Sequence, residues 1–509
     1  MLGKLTTGAK IGLAVLVIGL IVGGIAFFKD NIKSTKSNDS SNEPVAVTER
    51  SEPLMTIGLN TWAGFAGIVY LNNGLEPNED CILYKQYGLK LRIKIIDVFN
   101  DSRNAFKTGA LDMVYCTVDA LPVETGSGSD MVKSNINLFF QIDWSRGGDL
   151  LVVTKGIKTV ADLKGKTISV AEGTASHTLL IKTLESNGLT ANDVLIKKVE
   201  DGIESAKLFK SGTVDAALVW SPDDGDCLAA IPGSKVLLST KTATHIIADG
   251  LLARAEFISA NKAQLIKLCS AWLEANAELN TNEATKQKAA QTFAAAFKTD
   301  VDFALNGINN VRFTTLGDNK DFFGLNPQYL GITGEQLYSK MSIVYSDIKL
   351  TNSPLAWRTI SNVSIIESIT LNGSNQVSEG AVTFTPVTEE VKQKEAISNK
   401  KITINFATNS YTLDDNAKSI IDREFGNIAK SFLHARVRIE GNTDNTGNYN
   451  TNMTLSMNRA QAVANYLAKE YKFDPNRFIV IGNGPKHAVE DGIKGSDINY
   501  RTTDFRLVE

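Results

Sequence analysis

Short apolar segments alternate with amphipathic helical segments through most of this chain of 509 residues. The apolar segments read LMTIGLN, LRIKIIDV, LDMVYCT, DLLVVTK, TISVAEG, VLIKKVE and DAALVWS. Strand-like runs separated by helices are typical of βαβ units and parallel sheets, so the sequence predicts an α/β fold. Ligands of open α/β sheets bind beyond the carboxyl ends of the strands, so the residues that follow each strand are candidates for a binding site.

Length and composition narrow the classes of protein that this chain can belong to. At roughly 100 to 200 residues per domain, the chain should contain two or three folded units. The net charge is −3 and no basic cluster occurs, which excludes a nucleic-acid partner. The four cysteines include no C-x-x-C pair, and the four histidines are not spaced as two ligands on one helix face. We therefore expect no metal site, no cofactor and buried free thiols, with one long-range disulfide as the alternative.

Residues 11–28 form an uncharged apolar run, which as a helix would span roughly 27 Å and match a bilayer core of about 30 Å. Lys4 and Lys10 precede it, so the positive-inside tendency places the N-terminus in the cytoplasm and the rest outside. We predict a short cytoplasmic N-terminus and one transmembrane helix over residues 1–29, then a flexible polar tether over residues 30–53. A cleaved signal peptide is the rival, although the run ends in FFKD without a small-x-small site.

Residues 54–365 form the body of the predicted protein, and several of its strands end in aromatic, small or polar residues. Its markers are TWAG followed by GIVYLNNGL, then DSRNAFKTGALDMVYCTVDAL, SRGGDLLVVTKGIKTVADLKGKTISVAEGTASHTLLIKTLESNGLTANDV and VWSPD. These segments resemble the nitrate/sulfonate/taurine-type periplasmic solute-binding proteins of ABC importers, over about residues 55–348. The resemblance implies two lobes that close on a small solute, with hinges near residues 149–154 and 242–249.

The resemblance also implies which side chains of the body contact the solute. These residues are Trp62, Thr117, Asp143, Gly173, Thr174 and Trp220. Gly173 and Thr174 would donate from the start of a helix, where free N–H groups attract anions. Each has a plainer explanation: the two tryptophans could fill the interface between the lobes, and Thr174 could be an N-cap.

Acidic residues near these strand ends outnumber the single Arg146. The sequence therefore leaves three classes of solute possible: a nitrate-like or sulfonate-like anion, a neutral molecule and an amine. Asp143, Asp149 and Glu172 could supply paired carboxylates for catalysis. No Ser/His/Asp order, phosphate loop or metal motif accompanies them. We therefore expect a binding protein and not an enzyme.

Residues 366–400 are polar and are predicted as a second linker, and residues 401–509 as a compact α/β module. Its strands are predicted at residues 401–407, 436–440, 478–481 and 504–508, with a helix at about residues 414–433. The turn GNTDNTG follows the second strand and precedes a helix that contains LSMNRAQAVANYLAKEY.

Asn452, Ser456 and Arg459 are spaced i, i+4, i+7, which places them on one helix face that can look back at Asp444. An aspartate and an arginine brought together suit a zwitterionic ligand. The spacing resembles the peptidoglycan-binding module of OmpA-like and MotB-like proteins. The resemblance implies that the module holds the diaminopimelate of the peptide stem. The residues it assigns to this site are Asp444, Arg459, Asn452, Thr443 and Arg501.

These features together predict a bacterial inner-membrane protein with a single span and its bulk in the periplasm. It would bind peptidoglycan through the module and a small solute through the body, for uptake with an ABC permease or for sensing. The alternative is a structural or stator-like subunit of an envelope assembly, in which the body is a spacer without ligand.

Overall fold

The computed structural model describes residues 54–509, apart from Pro222, Asn405, Thr408 and Glu509. The predicted membrane helix and first tether fall on residues 1–53 and lie outside the described residues. Within the described part of the chain, no helix has both the length and the apolar character needed to cross a membrane. The described residues belong to one compact unit.

The secondary structure of the described residues alternates strands and helices, as the sequence pattern indicates. The strands are β1 (Leu54–Leu59), β2 (Lys90–Ile95), β3 (Met113–Thr117), β4 (Ile136–Ser145), β5 (Asp149–Val153), β6 (Thr167–Ala171), β7 (Leu195–Val199), β8 (Ala216–Trp220), β9 (Lys235–Ser239), β10 (Ala248–Arg254), β11 (Val311–Phe313), β12 (Ser398–Ile402), β13 (Arg436–Asn442), β14 (Phe478–Gly484) and β15 (Thr503–Val508). The helices are α1 (Ala66–Asn72), α2 (Ile82–Tyr87), α3 (Phe99–Lys107), α4 (Leu121–Glu124), α5 (Asp130–Lys133), α6 (Ala175–Glu185), α7 (Gly202–Lys210), α8 (Asp223–Ala230), α9 (Ala255–Ala260), α10 (Lys262–Thr281), α11 (Glu283–Phe297), α12 (Val301–Asn309), α13 (Leu316–Phe322), α14 (Gly334–Asp347), α15 (Trp357–Ile360), α16 (Glu389–Gln393), α17 (Asp415–Ile421), α18 (Asn427–Ser431), α19 (Tyr449–Glu470) and α20 (Lys486–Glu490).

The body consists of two lobes, each built on its own mixed sheet. The first lobe has six strands in the order β11-β4-β10-β3-β1-β2, and the second has five in the order β7-β6-β8-β5-β9. The chain passes between the lobes from β4 to β5 and returns from β9 to β10. This confirms the predicted two-lobed α/β fold of periplasmic binding proteins, with the crossings near the predicted hinges.

Burial explains the apolar sequence of strand β5 and the lack of a solvent-facing side on helix α6. All five residues of β5 are buried, and its continuous apolar run from Leu150 to Val153 is typical of a strand that is covered on both sides. In α6, every residue from Ser176 to Leu184 is buried, so this helix has no solvent-facing stripe. A helix that is buried all round must be packed between two layers.

The C-terminal module is a four-stranded sheet in the order β12-β15-β13-β14, and α19 packs on β13 and β14. Gly482 permits this close packing, because a Cβ there would lie 2.6 Å from the backbone nitrogen of Met457. Two predicted elements differ from the structure. The strand predicted at residues 401–407 lies earlier, at Ser398–Ile402, and the predicted helix over residues 414–433 is interrupted by a π-helical turn at Asp422–Gly426.

Residues 366–400, predicted as a polar tether, are packed against the body and the module. The side chain of Gln376 is buried, accepts a hydrogen bond from the Leu316 N–H at 3.1 Å and donates to the Leu273 carbonyl at 3.2 Å. Further along, Arg438 donates to the carbonyl of Lys394 at 2.5 Å. Composition predicts a flexible segment here, but its polar side chains find specific buried partners.

The second lobe and the C-terminal module share one continuous hydrophobic cluster, which runs from Leu151 in β5 to Leu507 in β15. Hydrogen bonds cross the same interface, from the Val160 N–H to the Ile397 carbonyl at 2.9 Å and from the His245 N–H to the Ser431 carbonyl at 3.2 Å. Leu179, Leu180 and Leu184 of α6 belong to this cluster. The module and the second lobe are therefore packed together and not merely joined by a linker.

Candidate functional site

Three of the predicted solute residues meet at the end of the first-lobe sheet. Asp249 in β10 is directly opposite Thr117 in β3 and Asp143 in β4, and directly opposed residues place their side chains on the same face of a sheet. The indole Nε1 of Trp62 donates to Oδ2 of Asp143 at 3.2 Å. Trp62, Thr117 and Asp143 therefore lie close together, and their contact with a solute stays a prediction. Asp249 was missed, although it is a carboxylate that interrupts the apolar run IIADGLLA.

Asp143 is fully buried, and burial dominates its electrostatics. Desolvation raises the pKa of Asp143 to about 7, although the hydrogen bond from Trp62 acts in the opposite direction. Desolvation likewise raises the pKa of Asp249 well above its usual value, and the neighbouring charge of Asp143 adds to the effect. Two carboxyl groups at such short range resist simultaneous ionisation. A proton shared between them, or a cation beside them, would relieve this repulsion.

The Trp62 ring packs against the first crossing between the lobes. An added Cβ on Gly148 would lie 2.5 Å from Cζ3 of Trp62, so only glycine leaves room for the ring. Gly148 has no left-handed backbone conformation, so a substitution there acts through space and not through strain. The crossing segment thus fixes the position of the tryptophan that contacts Asp143.

Gly148→Ala should therefore lower the free energy of unfolding of the body by about 1–3 kcal/mol, because the added methyl group overpacks the Trp62 ring. The measurement is urea unfolding followed by tryptophan fluorescence. Gly156→Ala is the matched control, since a Cβ at Gly156 meets nothing within 4 Å. Equal stability of the two variants would show that Trp62 is not held against the crossing.

The predicted residues of the second lobe lie at the start of α6 and the end of β8. The indole Nε1 of Trp220 donates to Oγ of Ser176 at 3.0 Å, and its ring lies over Gly202. Thr174 is the N-cap of α6 but makes no side-chain capping bond; its hydroxyl donates to the Ala171 carbonyl at 2.7 Å. The N–H of Gly173 donates to Nδ1 of His177 at 3.2 Å. Gly173, predicted as a donor to the solute, is therefore already engaged within the chain.

Arg146, at the first crossing, points away from the acidic strand ends. Its guanidinium donates to both carboxylate oxygens of Glu379, at 2.9 and 2.5 Å, and its Nε donates to the Thr244 carbonyl at 3.1 Å. Thr244 belongs to the second crossing, and Glu379 belongs to the segment that leads to the module. This ion pair thus ties both crossings to the linker.

Burial alone would raise the pKa of Glu379, but the hydrogen bonds from Arg146 and its charge outweigh burial and lower the pKa to about 2. A carboxyl group with a lowered pKa stabilises the fold above its unfolded pKa of about 4.3, and this contribution is lost as the pH falls towards 2. Glu379→Gln should lower the free energy of unfolding by about 1.5–3 kcal/mol at pH 7.

The difference between wild type and Glu379→Gln should shrink as the pH is lowered from 5 to 2, in urea unfolding at each pH. Glu389→Gln is the matched control, because Glu389 lies in the same segment with an exposed side chain and pairs only locally, with Lys392. A difference independent of pH would contradict the assigned ion pair.

In the C-terminal module, Asp444 lies in the turn after β13, and only 5% of its surface is exposed. Its Oδ2 accepts from Nε of Arg501 at 2.7 Å, and its Oδ1 accepts from the Thr446 N–H at 3.2 Å. Burial acts to raise the pKa of Asp444, but these bonds prevail and lower it. The carboxylate therefore stays ionised at the end of the sheet, beside an arginine whose side chain is 46% exposed.

Arg459, predicted to hold the ligand together with Asp444, bonds to other groups of the chain in this arrangement. Its Nε donates to the Ser410 carbonyl at 3.0 Å, and its guanidinium lies 4.8 Å from the ring centroid of Phe406. Burial and the charge of Arg501 lower the pKa of Arg459, while the charge of Asp444 raises it. The three charged groups thus influence one another, but the partner of Asp444 is Arg501.

The other predicted residues of this module support the turn. The amide of Asn452 donates to the Thr446 carbonyl at 2.9 Å, which fixes the turn against α19. The hydroxyl of Thr443 is buried and donates to the Asp444 carbonyl at 3.0 Å. Asn452 and Thr443 therefore hold the backbone of the turn that carries Asp444.

A polar cavity of about 470 Å³ lies beside this turn. It opens between the sheet and the segment that follows α20, and Asn442, Asp497 and Thr502 are among the residues that line it. Asp497 also donates its backbone N–H to Oδ2 of Asp444 at 3.2 Å. Asp444, Arg459 and Arg501 do not line the cavity themselves, so Asp497 is what connects it to the Asp444 turn.

Comparison with known families assigns both parts of the chain. The model of the OmpA family matches residues 405–501. The chain has an OmpA domain. The model described as NMT1/THI5 like matches residues 149–282, within the body. A fusion of a solute-binding-protein fold with an OmpA domain is thereby confirmed.

Individual relatives match one part or the other. A Brucella abortus (strain 2308) protein named as a binding protein is 28% identical over 181 residues, which are 35% of this chain and 54% of that protein. The outer membrane protein Omp38 of Acinetobacter baumannii (strain ATCC 17978) is 34% identical over 98 residues, 19% of this chain and 27% of Omp38. The chain thus spans about half the length of the first relative and about a quarter of the second.

A crystal structure with a similar fold is that of the periplasmic aliphatic sulphonate binding protein SsuA from Escherichia coli. The two share 18% sequence identity with a TM-score of 0.48, over 61% of this chain and 97% of SsuA.

Proposed function

We propose that this chain is a periplasmic envelope protein that binds peptidoglycan through its OmpA domain and a small solute between the lobes of its body. The observation that most supports wall binding is the ionised Asp444, buried in a turn and bonded to the half-exposed Arg501. A buried carboxylate next to a half-exposed guanidinium suits a ligand that carries both an ammonium and a carboxylate, as diaminopimelate does.

The solute site is proposed at the converging residues Trp62, Thr117 and Asp143, opposite Trp220 and the start of α6. The two-lobed architecture supports it, because a ligand enclosed between two lobes stabilises their closed arrangement. The relatives that match the body are named as binding proteins, and no catalytic motif accompanies the buried carboxylates. We therefore propose binding and not catalysis, with an ABC permease as a partner for uptake.

Anchoring in the inner membrane by residues 11–28 is part of the same proposal. An apolar run of this length matches the bilayer core, and a polar stretch follows it. With the OmpA domain on the wall, the chain would be held at both ends, which raises the effective concentration of the second contact.

A second candidate is a structural subunit whose body is a spacer without ligand. The shared hydrophobic cluster between the second lobe and the OmpA domain favours it, because such packing makes the two parts move together. A thermal-shift screen separates the two candidates: a ligand that binds the native body raises its melting temperature, whereas a spacer responds to none.

Wall binding is tested by sedimentation of the full chain, purified in detergent, with purified sacculi. The proposal expects the chain in the pellet, and free meso-diaminopimelate at millimolar concentration should release it. A chain that stays in the supernatant, at low and at moderate salt, would contradict the proposal.

A further inference from the structure

Four aspartate side chains are buried where the two lobes meet. Their exposed fractions are 0% for Asp119, 0% for Asp143, 7% for Asp149 and 5% for Asp249. Asp143 and Asp249 are opposite each other across β4 and β10, and Asp149 begins β5 opposite Trp220. Asp119 follows β3 and accepts from the Ala248 N–H at 3.4 Å. The four carboxyl groups thus belong to strand ends of both lobes.

Within the part of the chain that the structure describes, no basic side chain offsets the charge of Asp143 or Asp149. The groups that act on Asp143 are Trp62, Asp249 and Asp149, and those that act on Asp149 are Ser145 and Trp220. Arg146, the nearest basic residue in sequence, is bonded to Glu379 instead. Burial raises the pKa of Asp149 to about 6, so a part of the cluster remains ionised at neutral pH. Buried carboxylates without a counter-ion are costly, and a positive ligand would lower that cost.

Unpartnered acceptor atoms lie in the same place. Oδ1 of Asp143, Oδ2 of Asp119 and Oδ1 of Asn60 are buried and have no hydrogen-bond partner among the described residues. Asn60 follows β1, two residues before Trp62, whose indole holds the other oxygen of Asp143. Buried acceptors of native proteins are normally paired, so these atoms call for a ligand that donates.

The start of α6 in the second lobe carries a neutral histidine. Because the Gly173 N–H donates to Nδ1 of His177, the neutral imidazole carries its proton on Nε2. That Nε2 is buried without a partner among the described residues, and burial lowers the pKa of His177 to about 4. His177 is therefore neutral at pH 7, and the neighbouring Lys198 is paired with Glu172 at 2.7 Å.

The ligand that fits these buried acceptor oxygens is an organic molecule and not a metal ion. Among the described residues, no three or more His, Cys, Asp or Glu side chains are grouped as metal ligands. The half-buried Trp62 ring beside Asp143 offers an aromatic face, which attracts ammonium groups. We infer that the cleft between the lobes takes a cationic solute with a primary ammonium, and not a sulfonate or nitrate anion. This inference rests on the proposed solute-binding function.

The test is a thermal-shift and calorimetric titration of the full chain at pH 7.5. The probes are putrescine and spermidine on one side, and methanesulfonate and nitrate on the other. At least one amine should raise the melting temperature by about 2 °C or more at saturation, while the two anions should leave it unchanged. Asp143→Asn, which keeps the shape of the side chain, should weaken binding of that amine at least about tenfold.

Asp249→Asn should also weaken amine binding. This variant replaces Asp143→Asn in the test if Asp143→Asn does not fold. Asp226→Asn is the matched control, because Asp226 is 78% exposed on α8. Binding of methanesulfonate or nitrate without any amine would overturn the cationic ligand and leave the proposed solute binding in place. If no probe of either class shifts the melting temperature, the solute-binding proposal itself fails, together with this inference.

Discussion

Asp444→Asn is expected to remove most of the affinity of the chain for peptidoglycan, because the substitution deletes the ionised acceptor of the OmpA site. Asp444 binds Arg501 and two backbone N–H groups, and its lowered pKa keeps it charged. Hydrogen bonds to charged groups contribute about 1.5–3 kcal/mol each, so losing one to a ligand ammonium weakens binding roughly 10- to 150-fold. The measurement is the fraction of full chain that sediments with a dilution series of purified sacculi.

Asp415→Asn is the matched control for this experiment. Asp415 lies in the same domain, its side chain is fully exposed, and it pairs only with Lys418 on the same helix. Because Asp444 also holds its own turn, circular dichroism melting must accompany the sedimentation. Sedimentation equal to wild type, or a loss that merely follows unfolding of the domain, would contradict a ligand-binding Asp444.

The order of strands and helices could be predicted from the sequence because it depends on local apolar periodicity. The turn of Asp444 and the helix of Asn452 were predicted for the same reason. The sequence could not predict that Asp444 is bonded to Arg501. Helix periodicity places Arg459 on one face of its helix, but it does not say which group the long side chain reaches. Arg459 is held by Phe406 and by the Ser410 carbonyl, which lie beyond the end of β12 at Ile402.

The composition of residues 366–400 wrongly predicted a flexible linker, and the predicted order of strands did not reveal which acidic residues meet in the cleft. A polar stretch is typical of a flexible segment. In the folded protein, however, Gln376 bonds to Leu316 and Glu379 bonds to Arg146, and both partners belong to the body. The sequence places Asp143 at a strand end, but its neighbour Asp249 lies 106 residues further on, and their pairing depends on the register of β4 and β10. Register between distant strands is a tertiary property, so the acidic cluster appears only in three dimensions.

Arg477 is the buried charge on which the stability of the OmpA domain depends most directly. Its side chain is almost fully buried, and it donates to the carbonyls of Ala435 and Ala429 at 2.9 Å and of Phe432 at 2.7 Å. These carbonyls lie at and after the end of α18, where helix carbonyls lack partners and a positive charge is favoured. Burial lowers the pKa of Arg477 to about 9, which still leaves it charged at pH 7.

Arg477→Met should therefore lower the free energy of unfolding of the OmpA domain by about 3 kcal/mol or more, because methionine fills the space but leaves buried carbonyls unpaired. All five tryptophans lie in residues 54–365, so tryptophan fluorescence reports the body while far-ultraviolet circular dichroism reports both parts. In urea, the variant should show a new dichroism transition at lower concentration than the fluorescence transition.

Arg423→Met is the matched control, since the side chain of Arg423 is 68% exposed in the same domain and bonds only to the adjacent Glu424. This variant should unfold like wild type, because exposed ion pairs contribute about 0–1 kcal/mol. If Arg477→Met also unfolds like wild type, the three carbonyls must find other donors, and the guanidinium is then not what holds the end of α18. If dichroism and fluorescence shift together instead, the second lobe and the OmpA domain unfold as one cooperative unit, and the prediction of a separate transition is wrong.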